Sequence, residues 1–408
     1  CLFHSCPLEE VYIGRNIMYG SDNSQGYSPF ARSGVSKATV GPKVTMLWRN
    51  LFWDCPDLHS IEFAEGSSLT TINDDTFSNC GLDSLSLPDS VTEILGEFRL
   101  CESLEYLHLG PKVERFNADL PYFTSLSCID VDPANPNFRS IDGALYTADL
   151  TKLVRIPPAR TDITILPGIR EIDSDAFAGC DASEIIIPEG VETIGSYTTA
   201  AAASVTTILL PSTLTTLSHY AFTTANWGSR SWYNDSNYGR LMNVPDGYVI
   251  SLAATPVPTQ NEYYGSYFFE GREKWTLWVP EGCTEAYLAD REWKGFANII
   301  EGPCDIKVSG NIAAAGTAEG SGIYNPGDSV SLSVVFENTH RYRFAGWHCG
   351  DSVLSTSAEH SFMLLRPVDS ISARFEPIPD AAADCVSIRL ADGHLIVDIA
   401  AVDKGAVY

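Results

Sequence analysis

The feature that most constrains this chain is a short pattern that recurs at nearly constant spacing. The pattern, which varies between copies, is apolar-x-apolar-Pro-x-x-Val-x-x-Ile, followed by Phe-x-x-Cys and then a further Leu; the units at 107–128 and 191–207 lack the Phe-x-x-Cys. Strand starts at Leu85, Leu107 and Ile129 are 22 residues apart, and those at Ile185 and Ile208 are 23 apart. A fixed period of this length is typical of a solenoid, because one copy cannot bury its apolar face alone. The pattern predicts a protein that presents a long surface rather than a catalytic cleft.

Nine strand starts follow this pattern through the first part of the chain: Val11, Ala38, Ile61, Leu85, Leu107, Ile129, Val154, Ile185 and Ile208. In each short strand the first and third residues are expected to point into the solenoid, and the middle one to face outward. A turn follows, then a second apolar pair, and then a short helical segment that carries the Phe.

Two stretches break the period. Residues 132–160 are expected to form a hairpin around Asp142-Gly143, which is a strong turn pair. Residues 223–247 are an insertion rich in Trp, Tyr, Asn, Ser and Gly. Beyond it, a last strand at 277–280 and a helical run are expected to form a C-terminal cap over residues 276–302.

The solenoid is therefore predicted to cover residues 1–302. Alternating strands from 303 to 377 predict a separate small β-rich domain. Residues 378–408 are expected to be a linker and the start of a truncated β module, since the last hairpin is too short to fold alone. Because Phe3 and Cys6 already match the close of one repeat, the chain is expected to begin inside a repeat, with a targeting segment and earlier repeats removed.

Charge limits the partners that this chain can bind. It has 26 Lys and Arg against 52 Asp and Glu, which gives a net charge of −26. Nucleic acid and anionic membrane surfaces are disfavoured, because proteins bind both through cationic groups. No apolar stretch approaches the roughly 18–20 residues that span a bilayer. The charge favours cationic or neutral partners.

The 11 cysteines are an odd number, so at least one lacks a disulfide partner within the chain. Five share one repeat position, three residues after a Phe: Cys6, Cys55, Cys80, Cys101 and Cys180. Equivalent positions on a helical flank lie about 8–10 Å apart, beyond the roughly 7 Å that a disulfide allows. A stack of small apolar thiols is therefore favoured over a disulfide framework. A metal site is disfavoured as well, because no CxxC or His-Cys cluster is present.

These motifs carry a family resemblance. Residues 1–302 resemble the BspA-type leucine-rich repeats of bacterial surface proteins, through the two repeat motifs and the insert Asn-Pro-Asn-Phe-x-Ser-x-Asp-Gly-x-Leu-Tyr at 135–146. The closing segment from Val279 to Phe296 is similar to that family as found in gut Bacteroidetes. The resemblance implies an α+β leucine-rich repeat solenoid of parallel strands with short helical segments.

Residues 304–377 resemble bacterial β-repeat modules related to internalin B-repeats. The motifs that carry this likeness begin at Tyr324, Tyr342 and Ala373. The resemblance implies a small C-terminal all-β domain that acts outside the cell as a spacer or an interaction unit.

No catalytic motif stands out. The eight His residues are scattered, and the sequence has no GxSxG, HExxH or glycine-rich phosphate loop. Paired carboxylates such as Asp74-Asp75 fall in turns, where solvated residues are commoner than general acids or bases. The sequence predicts a non-enzymatic protein without a cofactor or a metal.

The first candidate binding surface is the outward-facing row of the parallel strands. Neighbours in such a row are about 4.8 Å apart, so they form a continuous strip suited to an extended partner. The alternative, that the row is merely solvent-facing surface, fits the sequence equally well. The predicted strip comprises Tyr12, Thr39, Glu62, Ser86, His108, Asp130, Arg155, Ile186 and Leu209.

The second candidate is the aromatic insertion. Aromatic residues between Asn, Ser and Gly resemble both protein-binding loops and sugar-stacking platforms. The competing interpretation, which we favour, is that they fold back as packing for an irregular end of the array. The site comprises Trp227, Trp232, Tyr233 and Tyr238, with Tyr263, Tyr264 and Tyr267 further on.

These observations predict a secreted or cell-surface binding protein. The family resemblance implies adhesion to host proteins or other cells through the leucine-rich repeat surface, with matrix glycoproteins among the candidate partners. One alternative is a glycan-binding surface protein that uses the aromatic insertion. The other is a structural spacer, which needs neither surface.

Overall fold

The computed structural model describes residues 3, 5–17, 28–95, 101–116, 125–199, 202, 204–222, 246–260, 269 and 271–378, and the backbone of 386–391 and 394–399. The chain divides into two compact units, Cys1–Gly302 and Pro303–Tyr408.

The first unit consists of short strands, most of which pair with the equivalent strand of the next coil. Its strands are β1 (Glu10–Ile13), β2 (Lys37–Val40), β3 (Met46–Leu47), β4 (Ser60–Phe63), β5 (Thr71–Ile72), β6 (Ser84–Ser86), β7 (Glu93–Ile94), β8 (Tyr106–Leu109), β9 (Arg115–Phe116), β10 (Cys128–Val131), β11 (Phe138–Ile141), β12 (Ala144–Thr147), β13 (Lys152–Arg155), β14 (Glu171–Ile172), β15 (Glu184–Ile186), β16 (Thr193–Ile194), β17 (Thr207–Leu210), β18 (Thr216–Ser218), β19 (Tyr248–Ser251), β20 (Thr259–Gln260), β21 (Thr276–Val279) and β22 (Asn298–Glu301). Helix α1 (Thr284–Ala289) and two 3-10 turns, Arg272–Lys274 and Trp293–Gly295, lie near its end.

The strands form two parallel rows. The first row has three sections, β1-β2-β4, β6-β8-β10 and β15-β17-β19-β21-β22. The second row consists mainly of two-residue strands, β3-β5-β7-β9 and then β14-β16-β18-β20. Partners along the first row are one period apart, as Leu85 is from Leu107 and Leu107 is from Ile129. The repeat period in the sequence is therefore the length of one coil.

The Phe-bearing segments are turns, so the prediction of short helices in the repeats is wrong. Asp75 and Asn79, two residues before and two after Phe77, have φ angles of 54° and 55°. A left-handed residue cannot continue a right-handed helix. The backbone N–H groups donate to the next coil instead, in three bonds of 2.9–3.0 Å: Asn50 to Asp74, Phe52 to Thr76 and Asp54 to Ser78.

The cysteine row lies against the preceding coil. Three buried thiols donate to main-chain carbonyls at 2.9–3.2 Å: Cys55 to Phe30, Cys80 to Phe52 and Cys101 to Phe77. The nine cysteines for which the structure describes the side chain are free thiols. The predicted stack of packed thiols is present, and hydrogen bonds to the backbone add to its packing.

The insert at 132–160 forms an antiparallel meander. β11 pairs with β12 across Asp142-Gly143, which confirms the predicted hairpin, and β12 pairs with β13. Asn135 is fully buried and explains the Asn-Pro-Asn-Phe motif. Its side-chain amide donates to the Gly110 carbonyl at 2.8 Å, and its oxygen accepts from the Phe138 N–H at 3.0 Å. β13 then pairs in parallel with β14 and joins the second row.

The meander separates two hydrophobic clusters. The first cluster spans Ile13 to Val154 and includes Leu145, while the second spans Ala144 to Phe296 and includes Tyr146. Successive residues of a strand point to opposite faces. The strand β12 therefore contributes side chains to both clusters.

The end of the first unit differs from the prediction in two respects. β21 is not the last strand, because β22 pairs with it in parallel. The predicted helical run from Thr284 to Trp293 is present only in part, as α1, which ends at Ala289 and buries Tyr287 against Trp293 with ring centroids 5.3 Å apart. The Tyr287 hydroxyl donates to the Ala253 carbonyl at 2.8 Å, which fixes α1 over the last coils.

The second unit is made of longer strands. They are β23 (Cys304–Gly310), β24 (Gly316–Glu319), β25 (Gly322–Tyr324), β26 (Ser329–Phe336), β27 (Tyr342–Cys349), β28 (Ser352–Ser355), β29 (His360–Met363), β30 (Ser370–Pro377), β31 (Val386–Ala391) and β32 (His394–Ile399). One sheet has the order β25-β23-β30-β27-β28, another has β24-β26-β29, and β31 pairs with β32. Ile306, Leu332, Trp347 and Phe375 are among its buried side chains.

Candidate interaction surface

The outward residues of the first row form a strip along the first two sheet sections. The register pairs Tyr12 with Thr39 and Thr39 with Glu62. Tyr12 is 65% exposed. The Lys37 ammonium group lies 2.7 Å from a Glu62 carboxylate oxygen, so charged and aromatic groups are presented side by side.

The second section carries Ser86, His108 and Asp130, which the register aligns with one another. A single Asp130 oxygen accepts hydrogen bonds from His108 at 2.8 Å and from the Tyr106 hydroxyl at 2.9 Å. Partial burial opposes ionisation of Asp130, but these two hydrogen bonds outweigh it and lower the pKa of the carboxyl group. Partial burial and the bond to Asp130 raise the pKa of Tyr106 to about 12. The cluster therefore presents a carboxylate that two hydrogen bonds stabilise in its charged form.

Arg155 does not belong to the strip, so this part of the prediction is wrong. Its strand, β13, is the third strand of the meander and pairs with β14 of the second row. Its side chain is buried, and the guanidinium donates to the Asp175 carbonyl. The sequence suggested a regular coil here because Leu153 and Val154 mimic the strand pattern.

The apolar end of the predicted strip is largely buried. Ile186 aligns with Leu209, and Leu209 aligns with Ile250. Ile186 is half-buried, whereas Leu209 is 5% exposed and Ile250 is fully buried. The open part of the strip therefore consists of the six residues from Tyr12 to Asp130: Tyr12, Thr39, Glu62, Ser86, His108 and Asp130. We call these six residues the sheet-face strip.

The aromatic insertion stays a prediction. Its four candidate residues, Trp227, Trp232, Tyr233 and Tyr238, lie outside the described residues, as do Tyr263, Tyr264 and Tyr267. Within the part of the chain that the structure describes, no group of three or more His, Cys, Asp or Glu side chains is placed to hold a metal ion.

Three aromatic residues that the sequence analysis did not single out lie together on the turn flank. The rings of Tyr197 and Tyr220, in consecutive coils, have centroids 5.6 Å apart and planes inclined by 14°. The His219 ring is edge-on to both, at 5.9 Å from each. All three side chains are half-buried. We call them the turn-flank aromatics.

Both tyrosines occupy a left-handed backbone position. Their φ angles are 55° for Tyr197 and 51° for Tyr220. Other coils fill the same position with Asn50, Asp75 or Asp175, at φ angles of 54° to 58°. Asn and Asp tolerate this conformation, whereas a bulky residue in it is uncommon. The signal in the sequence was the replacement of Asp or Asn by Tyr in this row, in two consecutive coils.

The family of the chain follows from its repeats. Residues 23–147 and 159–237, together half of the chain, match the BspA type leucine rich repeat region in six copies. The chain therefore belongs to the BspA-type leucine-rich repeat family. The matched residues end before 304–377, so the likeness of that segment to internalin B-repeats stays a prediction. No curated protein matches the sequence.

Several solved structures are similar at low identity. The pneumococcal vaccine antigen PcpA is 18% identical, over 72% of this chain and 89% of that chain, with a TM-score of 0.42. A leucine-rich repeat protein from Eubacterium ventriosum is 17% identical, over 52% and 83%, with a TM-score of 0.38. A leucine rich cell surface protein from Faecalibacterium prausnitzii is 16% identical, over 72% and 88%, with a TM-score of 0.36. These likenesses are too distant to add to the family assignment.

Among the described residues, no helix has the length and apolar character needed to cross a membrane.

Proposed function

We propose that this protein is a secreted or cell-surface, non-enzymatic binding protein, which adheres to host proteins or other cells through the sheet-face strip. The observation that carries the proposal is the register of the strip. Thr39 lies between Tyr12 and Glu62, and His108 lies between Ser86 and Asp130. Parallel strands about 4.8 Å apart give such rows a flat, regular face that suits an extended segment of a partner.

The chemistry of the strip supports a protein partner. Tyr12 offers a large exposed ring with a hydroxyl group, the kind of side chain that is enriched at interfaces. Asp130 is held in its charged form by His108 and Tyr106. A fixed carboxylate contributes to specificity and association rate more than to raw affinity. The family assignment is consistent with this role, since repeat arrays present extended binding surfaces.

The test is adhesion of the full chain, and of a Tyr12→Ser/Glu62→Lys/Asp130→Asn variant, to epithelial cells and to immobilised matrix glycoproteins. We expect the triple variant to lose at least about tenfold in affinity, because central contacts of an interface carry most of its binding energy. The matched control is Glu93→Lys, which reverses a carboxylate on the second row of strands, where it pairs with Arg115 at 3.0 Å.

Three outcomes would count against the sheet-face strip. Equal adhesion of the wild type and the triple variant would show that the strip is ordinary solvent-facing surface. Adhesion that disappears after enzymatic removal of glycans, and in a Trp227→Ala/Trp232→Ala variant, would favour the glycan-binding alternative. A wild-type protein that adheres to none of these targets would favour a structural spacer.

A further inference from the structure

We propose that Tyr12 of the sheet-face strip is a preformed contact for an uncharged, apolar side chain of an extended partner segment. Gly14 and Gly41 are the positioning residues that seat its ring. The inference rests on the proposed function, because Tyr12 belongs to the strip. It adds the chemical class of the partner group and two residues outside the strip on which binding depends.

The Tyr12 side chain lies across the backbone that follows strands β1 and β2. A Cβ atom built at Gly41 would be 2.5 Å from the Tyr12 hydroxyl oxygen and 3.0 Å from the ring carbon Cζ. A Cβ atom built at Gly14 would be 3.2 Å from the ring carbon Cε1. Gly41 is buried, whereas Tyr12 is 65% exposed. The ring therefore rests on the backbone of two consecutive coils and keeps most of its surface open to solvent.

The backbone itself does not require glycine at position 41. Gly41 does not have a positive φ angle, so its conformation suits any L-residue. The Gly41 N–H donates to the Ile13 carbonyl at 2.8 Å, and the Ala64 N–H donates to the Val40 carbonyl at 2.9 Å in the next coil. A Cβ at Gly41 would lie 3.1 Å from the Ile13 oxygen, but Ala64 carries a Cβ at the equivalent position. The need for glycine therefore comes from the Tyr12 ring.

A ring that is seated in advance favours binding. An exposed side chain that becomes immobilised at an interface loses conformational freedom, and this loss weakens the affinity. Tyrosine already has few rotatable bonds, and contact with Gly14 and Gly41 restricts its ring further. Tyr12 therefore presents a large contact area that needs little ordering when a partner binds.

The charge around Tyr12 indicates an uncharged partner group. The first three strands of the row and the residues beside them, at 9–16, 36–43 and 59–66, carry four Glu against three Lys and Arg. The Lys37 ammonium group is moreover paired with Glu62 at 2.7 Å. The equivalent residues of the second section, at 83–90, 105–112 and 127–134, carry five Asp and Glu against one Lys. A cation is therefore favoured at the second section, whereas a group over Tyr12 gains little from charge and most from apolar contact.

The test measures the binding of the full chain to fibronectin and to laminin, each immobilised separately, by biolayer interferometry. The wild type, Tyr12→Ser, Gly41→Ala and Gly41→Ala/Tyr12→Ser form a double-mutant cycle. We expect Tyr12→Ser to lower the affinity roughly fivefold and Gly41→Ala roughly threefold. The double variant is expected to bind as Tyr12→Ser does, because Gly41 acts through the ring.

Gly110→Ala is the matched control. Gly110 follows the strip residue His108 by two positions, as Gly41 follows Thr39. A Cβ atom at Gly110 would be no closer than 3.4 Å to the rest of the chain, in ordinary contact with the Asp89 Cα. This variant is therefore expected to bind like the wild type.

Two measurements check the seating of the ring without a partner. Gly41→Ala is expected to keep the thermal midpoint of the wild type, because the tip of the Tyr12 side chain can move into solvent. In glycine-labelled protein, the Tyr12 ring current should shift the NMR signals of the Gly14 and Gly41 α-protons, and Tyr12→Ser should remove these shifts. Unchanged signals in Tyr12→Ser would overturn the seating.

Salt dependence tests the class of the partner group. Salt weakens interactions between exposed charges, so the ratio of the wild-type affinity to the Tyr12→Ser affinity is expected to be the same at about 50 mM and about 500 mM NaCl. A ratio that falls with salt would mean that a charged group contacts the ring. A ratio that falls to one after enzymatic removal of glycans from the immobilised protein would assign the ring to a sugar. Either result would overturn the uncharged, apolar side chain.

The remaining outcomes separate this inference from the proposed function. Loss of affinity in Tyr12→Ser/Glu62→Lys/Asp130→Asn, with none in Tyr12→Ser or Gly41→Ala, would leave the strip in place and overturn the role of Tyr12. A loss in Gly41→Ala that is equally large in the Tyr12→Ser background would show that the glycine acts through the backbone. Equal binding of the wild type and the triple variant, or no binding of the wild type to either protein, would overturn both the strip and this inference.

Discussion

Single residues, one Phe and one Cys in most coils, account for much of the packing in the first half of the array. Phe30, Phe52 and Phe77 stack ring on ring with centroid distances of 5.7 and 6.1 Å. The thiols of the neighbouring cysteines donate to the main chain of the preceding coil. Both side chains therefore connect coils rather than fill space within one coil.

Phe77→Ala and Phe177→Ala are each expected to lower the free energy of unfolding by about 3–5 kcal/mol, because a fully buried ring leaves a cavity. Both rings are at most 1% exposed. Phe3, which is 40% exposed, provides the control, and Phe3→Ala should cost far less. Urea unfolding followed by circular dichroism measures the difference. Equal losses for Phe3 and Phe77 would contradict the assigned core.

The stability of the protein is expected to fall in alkaline solution because of the buried cysteines of the repeats. Burial raises the pKa of Cys101 to about 12 and that of Cys180 to about 11, against an ordinary value of 9.0. The folded thiols stay protonated where unfolded thiols ionise. Their contribution to the free energy of unfolding is therefore complete at pH values below the pKa of the unfolded thiols. It is lost as the pH rises towards the pKa values of the thiols in the folded protein.

Urea midpoints measured from pH 8 to pH 11 test this expectation. The Cys101→Ala/Cys180→Ala variant should be less stable at pH 8 but should lose less stability on going to pH 11. The same alkaline loss in both proteins would show that other groups, such as the tyrosines, cause it.

At the scale of elements, the turn flank is the part of the coil that departs from a regular helix or strand. Each regular flank has left-handed residues two before and two after its Phe, as Asp75 and Asn79 are around Phe77. This geometry directs backbone N–H groups to the adjacent coil. The flank therefore works as a third hydrogen-bonded row beside the two rows of strands.

Asp75→Ala is expected to destabilise the protein by about 1–2 kcal/mol more than Asp75→Gly, because a Cβ is disfavoured at positive φ whereas Gly is not. Both substitutions remove the bond from the Ser78 hydroxyl to Asp75, so the difference isolates the backbone. Thermal unfolding of the two variants measures it. If Ala proved as stable as Gly, the flank would be helical, as the sequence predicted.

The sequence predicted the strands well and the flanks poorly, for a physical reason. Alternation of apolar residues in strands such as Leu107-His108-Leu109 fixes which side chains face inward, and the structure agrees. The flanks are predicted as short helical segments that carry the Phe, whereas the structure has turns there. The opposing signal, Asp or Asn on both sides of the Phe, marks left-handed turns.

The register aligns the residues of the predicted strip where the coils are regular, whereas Arg155 lies in the meander that interrupts them. The members of the strip from Tyr12 to Asp130 follow from period counting alone. Arg155 was misplaced because local alternation cannot distinguish a strand of the first row from one that pairs antiparallel with β12. The burial of Leu209 depends on contacts distant in sequence, which the pattern of one strand does not encode.

At the scale of the whole array, the meander divides the first unit into two hydrophobic clusters. The stability of a repeat array is approximately the sum of the stabilities of its coils and of the interfaces between them. A destabilising substitution is therefore expected to act mainly on the coils near it. The first cluster contains Phe77 and the second contains Phe177. The two halves should therefore respond separately to substitution.

Hydrogen exchange tests this independence. Phe77→Ala is expected to lower the protection of residues 38–116 and to leave residues 169–217 nearly unchanged, and Phe177→Ala is expected to do the reverse. A loss of protection that spreads equally over both segments would show that the array unfolds as one cooperative body.

The buried cysteines have a consequence for the redox conditions in which the protein can fold. A cysteine reacts with oxidants and disulfides as its thiolate, and a thiol with a pKa near 12 has almost none of that form at neutral pH. Burial also keeps reagents away from Cys55, Cys80, Cys101 and Cys180. These four thiols need no oxidising partner in order to pack, and their burial denies an oxidant access to them. The packing that they contribute is therefore independent of the redox potential of the surroundings.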